Sequence, residues 1–170
     1  YVADGIFQNQ TEVNAHTDEY GTVIQPNAQP GDIRFKDLNH DGKLDDNDKT
    51  FIGNAFPDLM VGINARLAWK NIDFAANFYG TIGNDVYNTT KGRYSGVSGE
   101  NVYAGTYNAS WHGEGTSYDL PRLSYNDANQ NWTRVSSFYV EDGSYLRCKQ
   151  LQIGYTLPKK WTKKISLRLS

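Results

Sequence analysis

At 170 residues with a formal net charge of −2, the chain is long enough for a sizeable core but lacks the basic excess that nucleic acid or an anionic membrane surface would attract. Its hydrophobic share of 38% lies below the roughly 45–50% of a typical soluble domain. No run of 18 apolar residues is present, which excludes a transmembrane helix but not a transmembrane strand, and the lone Cys148 excludes an internal disulfide framework and the usual zinc clusters.

The pattern predicts an all-β fold of antiparallel strands joined by very unequal connections. Residues 1–8 read as a strand weakened by Gly5. A long polar loop follows over 9–57. Residues 58–69 and 72–82 then form a hairpin about Lys70-Asn71, where Asn71 is expected to take the positive φ. Leu59, Val61, Ile63, Ala65, Leu67 and Trp69 share one face with Ile72, Phe74, Ala76, Phe78 and Gly80. Folding about the turn sets Trp69 against Ile72, Leu67 against Phe74, Ala65 against Ala76 and Ile63 against Phe78. On the other face Asn64 meets Asn77, and Arg66 lies diagonal to Asp73. Each arm matches the roughly 9–11 residues that a tilted strand needs to cross a bilayer. Either lipid or another protein layer must cover the oily face.

A second long, Gly-, Asn- and Tyr-rich loop occupies 83–143. Residues 145–157 form a strand whose apolar phase changes between Cys148 and Leu151, which calls for a bulge near Lys149-Gln150. After a turn at 158–164, residues 165–170 begin another strand, and both chain ends read as cut from something longer. Short turns at one end of the strands and long loops at the other suit an outer-membrane barrel, with Trp69 and Trp161 at the short-turn end as a girdle requires.

Within the first loop, residues 37–48 carry the spacing of a calcium loop. Asp37, Asn39, Asp41, Asp45 and Asp48 fall at positions 1, 3, 5, 9 and 12, Lys43 offers its carbonyl at 7, and Gly42 stands at 6. A hard cation wants six to eight oxygens, so the expected cofactor is a structural Ca²⁺. Asp48 replaces the longer Glu of the template, and an ion-free Asx turn is the plain alternative.

Several blocks in order resemble the SusC/RagA family of TonB-linked outer-membrane transporters: Gly5-Ile-Phe-Gln8, Pro30 to Asp48, Phe51-Ile-Gly-Asn54, Pro57-Asp58, Gly83 to Asn88, Tyr139 to Arg147, and Gly154-Tyr-Thr-Leu-Pro158. The resemblance implies part of a 22-stranded barrel in a Bacteroidetes-type bacterial outer membrane, with 83–143 extracellular. It also implies a SusD-like surface lipoprotein, the TonB system acting through a plug region outside these residues, and import of oligosaccharides or peptides. Lipid would then wet the apolar face, and Asn64, Arg66, Asp73, Asn77 and Tyr79 would line the lumen or touch the plug. Tyr87, Tyr94, Tyr103, Tyr107, Trp111, Tyr118, Tyr125 and Trp132 in the second loop either stack on sugars or pack, and packing is the commoner fate of large aromatics.

An enzyme is not expected. His16, His40 and His112 are scattered without metal-ligand spacing, Cys148 sits inside a strand pattern, and no phosphate-loop or nucleophile-elbow motif is present. The competing class is a soluble, calcium-stabilised β-sandwich that binds carbohydrate, which requires the oily ribbon to be covered by further strands. A dockerin-like adaptor would need a second calcium loop, and none is found.

Overall fold

The structure, a computed structural model, describes residues 1–93, 101–158, 160 and 168–169. The chain divides into two compact units, Tyr1–Gly53 with Tyr87–Glu141, and Asn54–Val86 with Asp142–Ser170. Strands dominate and helices are short, so the fold is all-β.

In the second unit, β3 (Leu59–Trp69), β4 (Ile72–Ile82), β7 (Tyr145–Thr156) and β8 (Arg168–Leu169) make an antiparallel sheet in the order β3-β4-β7-β8. The register of β3 on β4 is unbroken, with Trp69 opposite Ile72, Leu67 opposite Phe74, Ala65 opposite Ala76, Ile63 opposite Phe78 and Asn64 opposite Asn77. Strict alternation holds it there, because a slip of one residue would turn every apolar side chain to the polar face. The bulge in β7 is present. Asn77 pairs with Gln150 and Phe78 with Cys148, which leaves Lys149 unpaired and brings Leu146 and Cys148 into phase with Leu151 and Ile153. At the hairpin tip Lys70, not Asn71, carries the positive φ, 52°. Both primed two-residue turns need φ > 0 at their first central position, and that position is Lys70.

The first unit holds a two-stranded antiparallel sheet, β1 (Ala3–Ile6) on β2 (Ile33–Phe35). The strand expected over 1–8 is therefore shorter and belongs here, not to the long sheet. Gly5, at φ 111°, accompanies a break in register between Ala3 and Ile6, and Phe7 beyond it is fully buried. The long-loop segments also contain α1 (Gln10–Ala15), α2 (Thr90–Arg93) and α3 (Ala104–Ala109). Asn9 caps α1 by accepting from the Glu12 amide, and Glu12 reaches back to the Gln8 amide. That places Val13 in a core with Phe7 and Ala28. Strands β5 (Asp85–Tyr87) and β6 (Val140–Asp142) form a third sheet.

Most of 9–57 and 83–143, expected as separate loops, thus falls in one folded unit, with 54–57, 83–86 and 142–143 in the other. The described strands form open sheets of four, two and two, and no closed barrel of 22 strands is seen among them. Of the strand expected over 165–170, Arg168–Leu169 pairs with β7. Tyr94, Trp161 and most of the turn at 158–164 lie outside the described residues. No described helix is long and apolar enough to cross a membrane.

Candidate functional site

Alternation gives the β3-β4-β7 sheet two unlike faces. On one, Leu59, Ile63, Leu67, Trp69, Ile72, Leu146, Leu151 and Ile153 all remain exposed, Leu67 by 68% and Ile63 by 53%. Ala76, in the central strand, is the buried apolar residue of this unit among those described. Cys148 lies exposed on the same face. Among the described residues no covering layer of the kind a β-sandwich needs lies over this face. Burying a large apolar side chain is worth roughly 1.5–3 kcal/mol. Wetting even half of these eight would forfeit on the order of 10 kcal/mol, as much as a whole domain's stability. Such a face needs an apolar environment.

The opposite face is polar. Asn77 donates to the Gln150 side chain at 2.9 Å and Gln150 donates to Gln152 at 3.1 Å. The ammonium of Lys149 lies 4.9 Å from the centre of the Tyr79 ring. Asp73 stands opposite Gly154, where a Cβ would come within 2.5 Å of the Asp73 carboxylate, so only glycine leaves Asp73 its place. Arg66 lines a depression of about 350 Å³ with Asp73, Asn77, Gln150 and Gln152. Asn64, Arg66, Asp73, Asn77 and Tyr79 therefore share one surface, as their alternation requires.

In the 37–48 loop the oxygens serve the backbone. Asp37 accepts from the His40 and Gly42 amides, Asp41 from Lys43, Asp45 from Asn47, and Asp48 from Leu38 and Asp45. Asn39 and Asp41 bond to each other. Gly42 takes φ 78°, and a Cβ there would meet the Asp18 carboxylate. Among the described residues no group of three or more His, Cys, Asp or Glu side chains is gathered tightly enough to hold a metal ion.

The aromatics of the second loop divide by type. Trp132 is buried, donating to the Arg122 carbonyl, and Trp111 donates to Gln8. Tyr103, Tyr107, Tyr118 and Tyr125 stay more than half exposed. Tyr87 packs on Tyr139, whose buried hydroxyl donates to the Trp132 carbonyl at 2.5 Å. Burial pushes that phenol's pKa well up. His16 faces the Phe35 carbonyl, His112 the Ser110 carbonyl, and the His40 backbone is left-handed at φ 59°.

Sequence reasoning missed the polar network inside the first unit. The free edge of β2 is completed by amide side chains in place of a strand. The Ile33 amide donates to Asn131, the Phe35 amide donates to Gln25, and the Ile33 carbonyl accepts from Gln25 and Asn129. Asp32, fully buried, accepts from Arg122 Nε at 2.6 Å, Asn131 at 2.8 Å and the Gln29 amide at 2.9 Å. Asp127 holds the turn at its far end by accepting from the Asn131 and Trp132 amides. The polar run from Asn126 to Asn131, ending at Trp132, was the available signal, since so many amides beside a tryptophan need partners.

Fold and surface together define an all-β chain whose main sheet has one exposed apolar face and one polar face. The chain is 31% identical over 154 residues to TonB-dependent receptor P26 of Formosa agariphila, covering 91% of this chain and 15% of that protein. It is 33% identical over 146 residues to TonB-dependent receptor P3 of the same organism, covering 86% and 14%. Against TonB-dependent receptor SusC of Bacteroides thetaiotaomicron it is 23% identical over 161 residues, covering 90% and 15%. No protein-family profile matches. The chain belongs to the SusC-like family of TonB-dependent receptors, and it spans about 15% of the length of the curated relatives it matches.

Proposed function

We propose that this chain forms part of the wall and outer loops of a TonB-dependent importer in a bacterial outer membrane. The cargo would be oligosaccharides or peptides, and the role structural and selective, with no catalysis. The observation that carries the reading is the open apolar face of β3, β4 and β7. An eleven-residue strand such as β3 rises about 3.3 Å per residue, roughly 36 Å in all, or about 26 Å across at a 45° tilt. The apolar band of an outer-membrane barrel is about 25 Å tall. The polar face would then meet the lumen or plug. A SusD-like lipoprotein and the TonB system are the partners this reading implies.

Cys148 provides the test. With the intact receptor in vesicles and a fluorophore on Cys148, a lipid-soluble quencher should dim the signal and a charged aqueous quencher should not. Strong aqueous quenching, or ready reaction of Cys148 with a charged thiol reagent, would end the reading.

We also propose a cation in the 37–48 loop, on ligand spacing and on the left-handed conformation of Gly42. The grouped coordination shell is not formed in the described conformation, so the carboxylates would have to turn inward on binding. Calcium should then raise the unfolding midpoint of the first unit relative to a chelator. An unchanged midpoint leaves a loop held by its own hydrogen bonds.

A further inference from the structure

A cleft of about 430 Å³ opens in the first unit between Thr22–Asn27, Gly42–Leu44 and the turn before Arg134. That volume lies within the roughly 300–1,000 Å³ of small-molecule sites. Its lining contains two cations, Lys43 and Arg134, and no carboxylate, in a chain where acidic residues outnumber basic ones. Lys43 is exposed, and Asn27 and Gln130 bring amides to the rim.

Arg134 is the informative group. Its guanidinium is stacked 4.6 Å from the Tyr1 ring centre and 5.2 Å from that of Phe35. Its Nε is buried and has no acceptor among the described residues. Burial lowers its pKa against the opposing pull of Tyr1, Asp48 and Asp127. Asp48 and Asp127 attract it from a distance, but both are committed to backbone amides. Polar groups taken out of water are rarely left unpaired. Arg134 is only half-buried and lines the cleft, so an acceptor entering there can reach the rest of its guanidinium.

We propose that this cleft binds the oxyanion, carboxylate or sulfate, of an acidic saccharide, with Arg134 as the planar donor and Lys43 as the second charge. Arginine suits the task because its fixed N–H fork matches a planar or tetrahedral oxyanion, while the rim amides suit hydroxyls. The saccharide identity of the ligand rests on the importer reading. The anion preference rests on the cleft alone.

The test is calorimetry on the intact receptor in detergent with digalacturonate, a sulfated disaccharide, the neutral disaccharide lactose and an acidic dipeptide. One or both acidic saccharides should bind at least about tenfold tighter than lactose and the dipeptide, with an affinity that falls as salt rises. Which of the two binds tells uronate from sulfate. Lys43→Gln, an exposed change, should weaken acidic binding severalfold and leave lactose unaffected. Arg134→Gln should weaken it about tenfold or more, and Arg134→Lys should restore only part. Hydrogen exchange at the Phe35 amide checks that the Arg134 variants still fold. Equal affinity for lactose, preference for the dipeptide, no binding of either acidic saccharide, or an unchanged Lys43→Gln would each overturn the proposal. Transport is read separately: acidic binding without uptake removes the importer and keeps the cleft, and uptake of acidic saccharide unaltered in Lys43→Gln does the reverse.

Discussion

Asp32 and Leu67 mark the difference between the two units: a carboxylate with no exposed surface in one, a leucine with 68% of its surface open in the other. Apart from Ala76, every buried apolar side chain described belongs to the first unit, which also encloses a bonded network of Gln25, Asp32, Asn129 and Asn131. The second unit has regular strands and almost no interior. Regular backbone pairing therefore says little about which solvent a segment occupies. What decides is where the apolar surface goes once the backbone is satisfied.

The sharpest way to break this contrast is Asp32→Ala. Losing the carboxylate strands the Arg122 guanidinium and the Asn131 amide, and removing one partner of a buried ion pair typically costs about 3–5 kcal/mol. Hydrogen exchange on the intact receptor should show the Ile33 and Phe35 amides losing protection, with β3 and β4 unchanged. Equal loss in both sets would mean that the units do not differ in this way. Next comes Ile63→Arg, near the middle of β3. In lipid it should destabilise folding into vesicles by about 2–4 kcal/mol, whereas Asn64→Arg on the polar face should be nearly neutral. Similar costs for both would erase the distinction between faces.

The same contrast explains what was legible in the sequence. The hairpin register and the bulge at Lys149 follow from a period of two, because a strand with one apolar face advertises its phase at every second residue. The network around β2 has no period. It joins Ile33 to Asn131 and Asp32 to Arg122, partners 98 and 90 residues apart, through side chains whose roles no local pattern reveals. Arg134 was silent for the same reason, since its setting depends on Tyr1 and Phe35. The carboxylates of 37–48 were conspicuous by spacing, yet spacing did not foretell that each oxygen described would serve an amide.

A smaller effect sharpens the account of the hairpin. Lys70 holds a left-handed backbone that an L side chain disfavours by about 1–2 kcal/mol, and its ammonium sits 4.6 Å from the Trp69 ring centre, which offsets part of that. Lys70→Gly should therefore stabilise the β3–β4 pair by up to about 1 kcal/mol, seen as slower exchange of the Ile72 amide. A loss of protection would show that the Lys70–Trp69 contact outweighs the backbone strain.

The smallest expected effect is a pH dependence confined to the first unit. His16 lies half-buried, edge-on to Phe7, with Nε2 3.1 Å from the Phe35 carbonyl. Burial is the largest influence and lowers its pKa below the ordinary 6.5; Arg34 lowers it further, while the Phe35 carbonyl, Asp4 and Asp37 pull it back up. A depressed histidine pKa means that the unfolded chain takes up its proton first as pH falls. The stability of the first unit should thus be full above pH 6.5, decline as pH drops through 6.5 toward the folded value, and level off below it. Protection at Phe35 should follow that curve, and His16→Gln should flatten it. The strands of the second unit should show no matching step, because no histidine lies in them. A step shared by both units, or one that survives His16→Gln, would assign the titration to another group and remove His16 from the account.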